Sequence, residues 1–247
     1  MTLLAVTGTD ALSVVSTSSI KYSQAPSSIS TCITLTEPTV ASTWSSDNAL
    51  LFVASAQAVH QYDPSTNALK EVLRLSEGQK ISNFLCKDKN TLIYTVAREI
   101  HTWTHPALTS KIASHKSPIT SLSLSNDSNL LASTSSDGVH VHNLAVGSHT
   151  VLKGLPTAST ISASTFHPHI CTRLLLGVAK QLLVYDTTRP SSPLKTILLG
   201  EPATAVGDII AVACSPFSKT LVAVGTACGT VGTLDLEKEK AYVDRNF

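Results

Sequence analysis

Short runs of apolar or alternating residues, each ended by a polar turn, recur along most of the chain. The clearest example lies between Ala113 and Asn143, where two such runs (119–125 and 130–135) flank a polar turn at 126–129 and lead through an Asp-Gly corner at 137–138 into a third run. Alternation with a period of two, or an apolar run of four to eight residues, predicts a strand, and helical periodicity is almost absent. The pattern therefore predicts antiparallel strands joined by tight turns.

The same unit repeats, and the dipeptide that ends each third strand marks its register. These dipeptides are 41, 39, 43 and 49 residues apart, close to the roughly 40 to 45 residues of a WD40 blade. They are Tyr62-Asp63, Trp103-Thr104, His142-Asn143, Tyr185-Asp186 and Leu234-Asp235. The second strands are almost wholly apolar, as strands covered on both faces must be. The sequence thus predicts an all-β, WD40-like β-propeller.

Six blades can be recognised. Residues 3–19 have the pattern of the second and third strands of a further unit, which adds one blade to the five marked ones. The twelve residues after Asp235 suffice for one outer strand and leave none to close a ring. The prediction is a single propeller domain over 1–247, either six-bladed with imperfect closure or the front part of a seven-bladed ring.

Charge and composition narrow the classes of partner. The net charge is +1 and no run of five like charges occurs, so neither nucleic acid nor an anionic membrane surface is expected to bind. No apolar run approaches the roughly 18 residues that span a bilayer, and the N-terminus lacks the basic segment of a secretion signal. The five cysteines form no C-x-x-C pair, which favours reduced thiols in the cytosol or nucleus, and a cytoplasmic location is predicted.

One set of polar residues in the 113–143 unit fits the hydrogen-bonded network of a WD40 blade. That network joins a histidine before the first strand, a hydroxyl on the second, the aspartate of the corner and a tryptophan on the third. His115 and Asp137 match two places, Ser133 or Ser135 can supply the hydroxyl, and His142 stands where tryptophan is usual. We predict a structural network of His115, Ser133 and Asp137, and no catalytic residue, because no G-x-S-x-G device exposes a serine.

Metal and cofactor chemistry have weaker support. His140 and His142 lie two apart on a predicted strand, so both point to one face and could offer two nitrogen ligands. No third ligand is evident from spacing, so packing between blades is the preferred interpretation and no metal ligand is predicted. The glycines in GTACGTVG (225–232) form neither G-x-G-x-x-G nor a P-loop, and no cofactor or small-molecule substrate is expected.

The order of several segments resembles the N-terminal propeller of the GCP-WD family, which attaches γ-tubulin ring complexes to centrosomes and spindles. The segments are TWSSDNALLFVAS (43–55), LSEGQK (75–80), SHKSPITSLSLSNDSNLLASTSSDG (114–138) and RLLLGVAKQLLVYDTT (173–188). The resemblance implies a fungal, truncated member that lacks the last blade and the helical segment that engages γ-tubulin. It also implies a place at the microtubule-organising centre or spindle pole. No binding residue of the family falls on a matching position.

These observations predict a non-catalytic interaction platform with protein partners, the γ-tubulin complex among them. One alternative is a WD40 adaptor of another assembly, such as a ubiquitin ligase or a vesicle coat. A propeller hydrolase or lactonase with a metal in the central channel is the least favoured alternative, because acidic, histidine or asparagine ligands converging on a channel cannot be identified.

Overall fold

The computed structural model describes residues 3–7, 11–16, 31–34, 37–106, 108–156, 160–199, 207–238 and 240–246, and for 3–7, 11–16, 31–34 and 240–246 it describes the backbone alone. All regular elements within these ranges are β-strands, in six antiparallel sheets. No helix among the described residues is long and apolar enough to cross a membrane. The chain divides into two compact units, Met1–Ala113 and Ser114–Phe247.

The first unit contains three sheets, which we number as blades 1 to 3 in chain order. Blade 1 has three strands, and blades 2 and 3 have four each, with sequential strands adjacent. Blade 1 comprises β1 (Leu3–Thr7), β2 (Ala11–Ser16) and β3 (Thr31–Thr34). Blade 2 comprises β4 (Thr39–Trp44), β5 (Leu51–Ser55), β6 (Ala58–Asp63) and β7 (Ala68–Arg74). Blade 3 comprises β8 (Ile81–Asp88), β9 (Thr91–Val96), β10 (Glu99–Thr104) and β11 (Leu108–Ser114).

The second unit contains blades 4 to 6, each a four-stranded meander. Blade 4 comprises β12 (Ile119–Leu124), β13 (Leu130–Ser135), β14 (Gly138–Asn143) and β15 (Ser148–Val151). Blade 5 comprises β16 (Ile161–His167), β17 (Ile170–Val178), β18 (Gln181–Asp186) and β19 (Lys195–Leu198). Blade 6 comprises β20 (Ile209–Cys214), β21 (Leu221–Thr226), β22 (Thr230–Asp235) and β23 (Lys240–Asn246).

The prediction of an all-β chain is confirmed, and the described residues form six sheets that match the six blades recognised in the sequence. The two strands expected in 3–19 are β1 and β2, and the outer strand expected after Asp235 is β23, which pairs with β22. Whether 1–247 acts as one domain, and whether the ring has six or seven blades, stay predictions.

Blade 5 explains why second strands read as continuous apolar runs. Side chains alternate between the two faces of a strand, so consecutive leucines on β17 point in opposite directions. Leu174 and Leu176 pack in a core with Val139 and Val141 of blade 4, whereas Leu175 packs in a second core with residues of blade 6. Both faces of this sheet are therefore buried, and a polar residue in mid-strand would interrupt one of the two cores.

In the first unit, blades 2 and 3 share a core of the same kind. Phe52 and Val59 of blade 2 pack with Phe84, Leu92 and Trp103 of blade 3. Trp103, at the register position that ends the third strand, is buried. Aromatic residues at this position thus contribute apolar area to the core between neighbouring blades.

Gly177 lies where blades 5 and 6 approach each other closely. A Cβ built on this residue would lie 2.6 Å from Cγ2 of Ile209 on β20. We expect Gly177→Ala to lower the free energy of unfolding by about 2 kcal/mol, because a packed core resists an added methyl group. Urea unfolding measures the loss.

A second substitution tests the cause of that loss. Ile209→Leu moves the branch away from Cβ and so removes the clashing Cγ2 atom, and the double variant should regain part of the lost stability. A double variant no more stable than Gly177→Ala alone would contradict the proposed contact. A control needs a glycine whose replacement by alanine is not strained, which excludes Gly78 because its φ is +83°. Gly225→Ala is the better control, since its Cβ would meet Ala211 at an ordinary 3.5 Å.

Candidate functional site: the histidine cluster of blade 4

Strand register gathers polar side chains on one face of blade 4. Ser133 on β13 is directly opposite His140 on β14, and His142 on β14 is directly opposite His149 on β15. Directly opposed residues of an antiparallel pair share a face, as do residues two apart on one strand. The four side chains therefore share one face, and His115 joins them from the segment that precedes β12. We call His115, His140, His142 and His149 the histidine cluster.

The other face of the same strands is apolar. Ala132 of β13 and Val139 and Val141 of β14 are buried in the core shared with blade 5. The histidine cluster therefore lies on the face turned away from blade 5. The alternation that places histidines on one face and valines on the other is readable in the sequence GVHVHN of β14.

A continuous chain of short hydrogen bonds crosses this face. His115 Nδ1 lies 2.6 Å from Asp137 Oδ1, and His115 Nε2 lies 2.8 Å from Ser133 Oγ. Ser133 Oγ is also 2.9 Å from His142 Nε2. The backbone N–H of Lys116 donates to the second carboxylate oxygen of Asp137 at 2.9 Å. Ser133 is fully buried, and His115 and His142 are each 4% exposed, so these polar atoms rely on one another in place of water.

The donors and acceptors of this chain can be assigned from chemistry. The Asp137 carboxylate only accepts, so His115 Nδ1–H donates to it, and we assign the other ring nitrogen, Nε2, as an acceptor. The single hydroxyl proton of Ser133 then goes to His115 Nε2, and Ser133 Oγ accepts from His142 Nε2–H. In that tautomer the lone pair of His142 is on Nδ1. Each group from Asp137 to His142 Nε2 has a partner, and a buried polar network stabilises a fold when its members are paired in this way.

Corresponding positions in blades 2 and 3 lack this network. The residues that match His140 by register are His60 and His101, and their opposite partners on the second strand are Val53 and Tyr94. Neither partner has a hydroxyl close enough to the strand to bridge as Ser133 does. His101 Nε2 instead lies 3.2 Å from Glu99 Oε2. Blade 4 is therefore distinct among these three blades.

The remaining histidines of the cluster pack ring against ring. His140 stacks on His115 with ring centroids 4.0 Å apart and an interplanar angle of 24°. The ring centroids of His140, His142 and His149 form a nearly equilateral triangle, with sides of 6.1, 5.8 and 5.9 Å. One nitrogen each from His115, His140 and His142 lies within 4.8 Å of the others. His149 is exposed, so the triangle opens to solvent on one side.

Burial and repulsion between neighbouring rings lower the pKa values of His140 and His142 and so favour their neutral forms. Desolvation lowers the pKa of His142 to about 4, with further lowering from charge on His140, His149 and His115. Desolvation and the neighbouring His115 also lower the pKa of His140, although Asp137 opposes this shift. Partial burial opposes ionisation of Asp137, but the N–H of Lys116 and the His115 ring outweigh it and hold the pKa of the carboxyl at about 2.

The lowered pKa of Asp137 predicts a stability change in acid. The folded value of about 2 lies below the ordinary 3.8, so the folded state binds fewer protons and the carboxylate stabilises the fold above pH 3.8. That contribution, about 2 kcal/mol, is lost as the pH falls from 5 through 2. Asp137→Asn keeps an acceptor for His115 without the titration. The difference in unfolding free energy between wild type and this variant should narrow by that amount between pH 5 and pH 2, and a constant difference would contradict the assignment.

Three turns at the end of the second unit opposite His115 and Asp137 carry exposed apolar side chains. In a four-stranded meander the first and third turns lie at one end of the sheet, and the segment before the first strand and the second turn lie at the other. Phe217 in the first turn of blade 6 is 97% exposed, Val146 in the third turn of blade 4 is 72% exposed, and Leu194 in the third turn of blade 5 is 44% exposed. We call these three residues the apolar turn set; His115 and Asp137 are at the other end.

A cavity of about 370 Å³ lies between blades 4 and 5, next to the Asp137-Gly138 corner. Its walls are largely apolar, with Val151, Leu152, Leu155 and Ile161 among them. The carboxylate of Asp137 is already bonded to His115 and Lys116. Asp137 is the carboxylate that lines the cavity, so among the described lining residues the cavity presents no pair of carboxylates.

The structure brings together the three residues named from sequence. His115, Ser133 and Asp137 are linked directly, and their purely structural role stays a prediction. Ser135, the other hydroxyl considered, donates to the carbonyl oxygens of Ser117 and Pro118. The residue that spacing missed is His149. The hairpin through Val146-Gly147 places it opposite His142, and reading that turn in the sequence could have found it.

Comparison with known proteins supports the fold only. No family model matches the chain, and no curated protein matches it. Among solved structures, a chain from the crystal structure of the mitotic checkpoint complex matches with a TM-score of 0.66 at 18% identity, covering 80% of this chain and 60% of that one. It is one of 1406 matching chains, so the fold is widespread and does not select a function. The chain has a WD40-like β-propeller fold, and its membership of the GCP-WD family stays a prediction.

Proposed function

We propose that this protein is a non-catalytic interaction platform that binds other proteins through the ends of its blades. The observation that carries the proposal is the apolar turn set. Phe217 exposes 97% of its surface to water, which costs free energy unless a partner covers it. Strands fixed in two cores hold these turns in place, so a partner can bind without ordering them first.

We further propose that the assembly served is the γ-tubulin complex, and that the protein acts in the cytoplasm at the microtubule-organising centre or spindle pole. Support for this finer assignment comes from the ordered resemblance of segments 43–55, 75–80, 114–138 and 173–188 to the GCP-WD family. Most of the third segment forms β12, β13 and their turns, and the fourth forms most of β17 and all of β18. The resemblance therefore covers neighbouring strands and the turns between them in blades 4 and 5.

The test is to express the protein with an affinity tag in its own cells, image it during mitosis and identify bound proteins by mass spectrometry. We expect enrichment at spindle poles and recovery of γ-tubulin complex subunits. Recovery of ubiquitin ligase or vesicle coat subunits without γ-tubulin would favour the adaptor alternative and overturn the finer proposal.

A surface variant links the partner to the apolar turn set. Phe217→Ser combined with Val146→Ser should reduce partner recovery at least about tenfold while the melting temperature stays unchanged, because both side chains are exposed. Lys116→Ser, at the opposite end of the second unit, is the matched control and should retain the partner. Equal recovery by both variants would contradict binding through the apolar turn set.

A further inference from the structure

We propose that His140, His142 and His149 bind one divalent late-transition-metal ion, with Zn²⁺ as the representative ion. This inference is independent of the proposed interaction function. It departs from the sequence-based prediction of no metal ligand, which depended on the apparent lack of a third ligand. His149 supplies that third imidazole, because the β14–β15 hairpin places it opposite His142.

The spacing of the three rings fits a single metal. With Zn–N bonds of about 2.0 Å in tetrahedral geometry, imidazole centroids lie about 5 Å from one another. The three centroid distances here are 5.8, 5.9 and 6.1 Å, so each pair must close by about 1 Å. His149 is on the exposed outer strand, where a change of rotamer meets little resistance. His140 and His142 come from one strand whose register with β13 is unbroken, so their backbones are fixed. The 6.1 Å between their ring centroids therefore closes by a turn of the partly buried His140 ring.

His115 is nearer to His140 than His149 is, but it is not suited to be the third ligand. Its two nitrogens already contact Asp137 and Ser133 at 2.6 and 2.8 Å. Its ring also stacks on His140 with centroids 4.0 Å apart, closer than two imidazoles on one metal lie. The His149 ring is 5.8 Å from His140 and lies at 25° to it, so it must turn by a change of rotamer to direct its lone pair at the ion. Binding through His115 would break a buried hydrogen bond, whereas binding through His149 breaks none of the bonds described above.

The hydrogen-bond chain then acts as the support that orients a ligand. Histidines that bind metals usually donate their other N–H to an acceptor that fixes the ring. His142 Nε2–H donates to Ser133 Oγ at 2.9 Å, which leaves Nδ1 as its ligand atom. Ser133 is held in turn by His115, and His115 by Asp137. Ser133 is therefore a positioning residue for the proposed site.

The ligand set selects the class of ion. Three neutral imidazoles favour Zn²⁺, Ni²⁺, Cu²⁺ or Co²⁺ over Mg²⁺ and Ca²⁺, which prefer oxygen ligands. Three protein ligands leave the fourth coordination position of the ion free. Because His149 is exposed, water or a side chain of a partner can reach that position. β14 and β15 are the two outer strands of blade 4, so this site is distinct from a metal in a propeller channel.

The test uses the full chain without a polyhistidine tag, stripped with a chelator and titrated at pH 7.5 with Co²⁺ and Zn²⁺. We expect one ion per chain, the visible absorption of four-coordinate Co²⁺ with nitrogen ligands, displacement of Co²⁺ by Zn²⁺, and a higher melting temperature with Zn²⁺. No stoichiometric binding at micromolar ion would overturn the proposal.

Variants identify the ligands. His149→Gln changes an exposed side chain, so the protein should fold, and it should weaken Zn²⁺ binding at least about tenfold. His140→Gln should weaken it similarly. The matched control is His101→Gln. His101 is the residue of blade 3 that corresponds to His140, but it lies beside Glu99. The Zn²⁺ affinity of this variant should equal that of wild type. Unchanged affinity in His149→Gln, or equal loss in His101→Gln, would overturn the assignment.

Discussion

Replacing Ser133 by alanine is expected to lower the free energy of unfolding by about 3 kcal/mol, although the substitution removes only one oxygen atom. The Ser133 hydroxyl accepts from His142 Nε2 and donates to His115 Nε2, and all three groups are buried. Its loss leaves one donor and one acceptor without partners where water does not reach. Each such group costs about 1 to 3 kcal/mol. Equilibrium unfolding in urea at pH 7 measures the change.

Ser121→Ala is the matched control in the same blade. The Ser121 hydroxyl bonds the Ser164 hydroxyl at 2.9 Å in a partly buried setting, so both partners retain access to water when the bond is lost. We expect a loss below about 1 kcal/mol. Equal losses of unfolding free energy in the two variants would contradict this role of Ser133, because only Ser133 has two buried imidazole partners in this comparison.

Leu176→Ala should destabilise the second unit by about 3 kcal/mol. Leu176 is fully buried on β17 and packs in the core shared by blades 4 and 5. Removing most of its side chain forfeits apolar burial and leaves a cavity, because strands held in two cores cannot collapse into the space. The measurement is the urea midpoint together with the slope of the unfolding transition.

Leu194→Ala is the control for that prediction. Leu194 is a leucine of the same blade, but it is 44% exposed in the turn before β19. We expect a loss of less than about 0.5 kcal/mol, since surface substitutions rarely cost more. If Leu194→Ala proved as damaging as Leu176→Ala, burial between blades would not be the source of stability. A loss in Leu176→Ala below about 1 kcal/mol would have the same meaning.

The strand order could be predicted from sequence because it depends on local signals. The alternation in ITSLSLS, the Asn-Asp-Ser turn and the Asp-Gly corner each determine a few neighbouring residues, and their repetition at about 40 residues indicated the blade. His115, Ser133 and Asp137 were named because they stand where WD40 blades carry the histidine, hydroxyl and aspartate of a structural network. The hydrogen bonds among them join the segment before β12, strand β13 and the Asp137-Gly138 corner, all within residues 114–138.

The histidine triangle could be predicted only in part. The two-residue spacing of His140 and His142 placed them on one face, since that depends only on the pleat of a strand. His149 required the register of the β14–β15 hairpin, which the turn at 144–147 sets and which shifts by one residue if the turn is one residue longer. The stacking of His115 on His140 depends on how the segment before β12 folds back over the sheet.

Sequence by itself determined the strands, the blade repeat and the apolar second strands, because each follows from side-chain alternation and turn chemistry over short distances. It also named His115, Ser133 and Asp137 from the WD40 pattern, with Ser135 as the alternative hydroxyl. Tertiary structure decided which faces meet. It put Leu174 and Leu176 in one core and Leu175 in another, gathered four imidazoles on the face of blade 4 turned away from blade 5, and left Phe217 exposed. The physical reason is that strand register and packing between blades join residues distant in sequence, and single-chain periodicity contains no information about those distances.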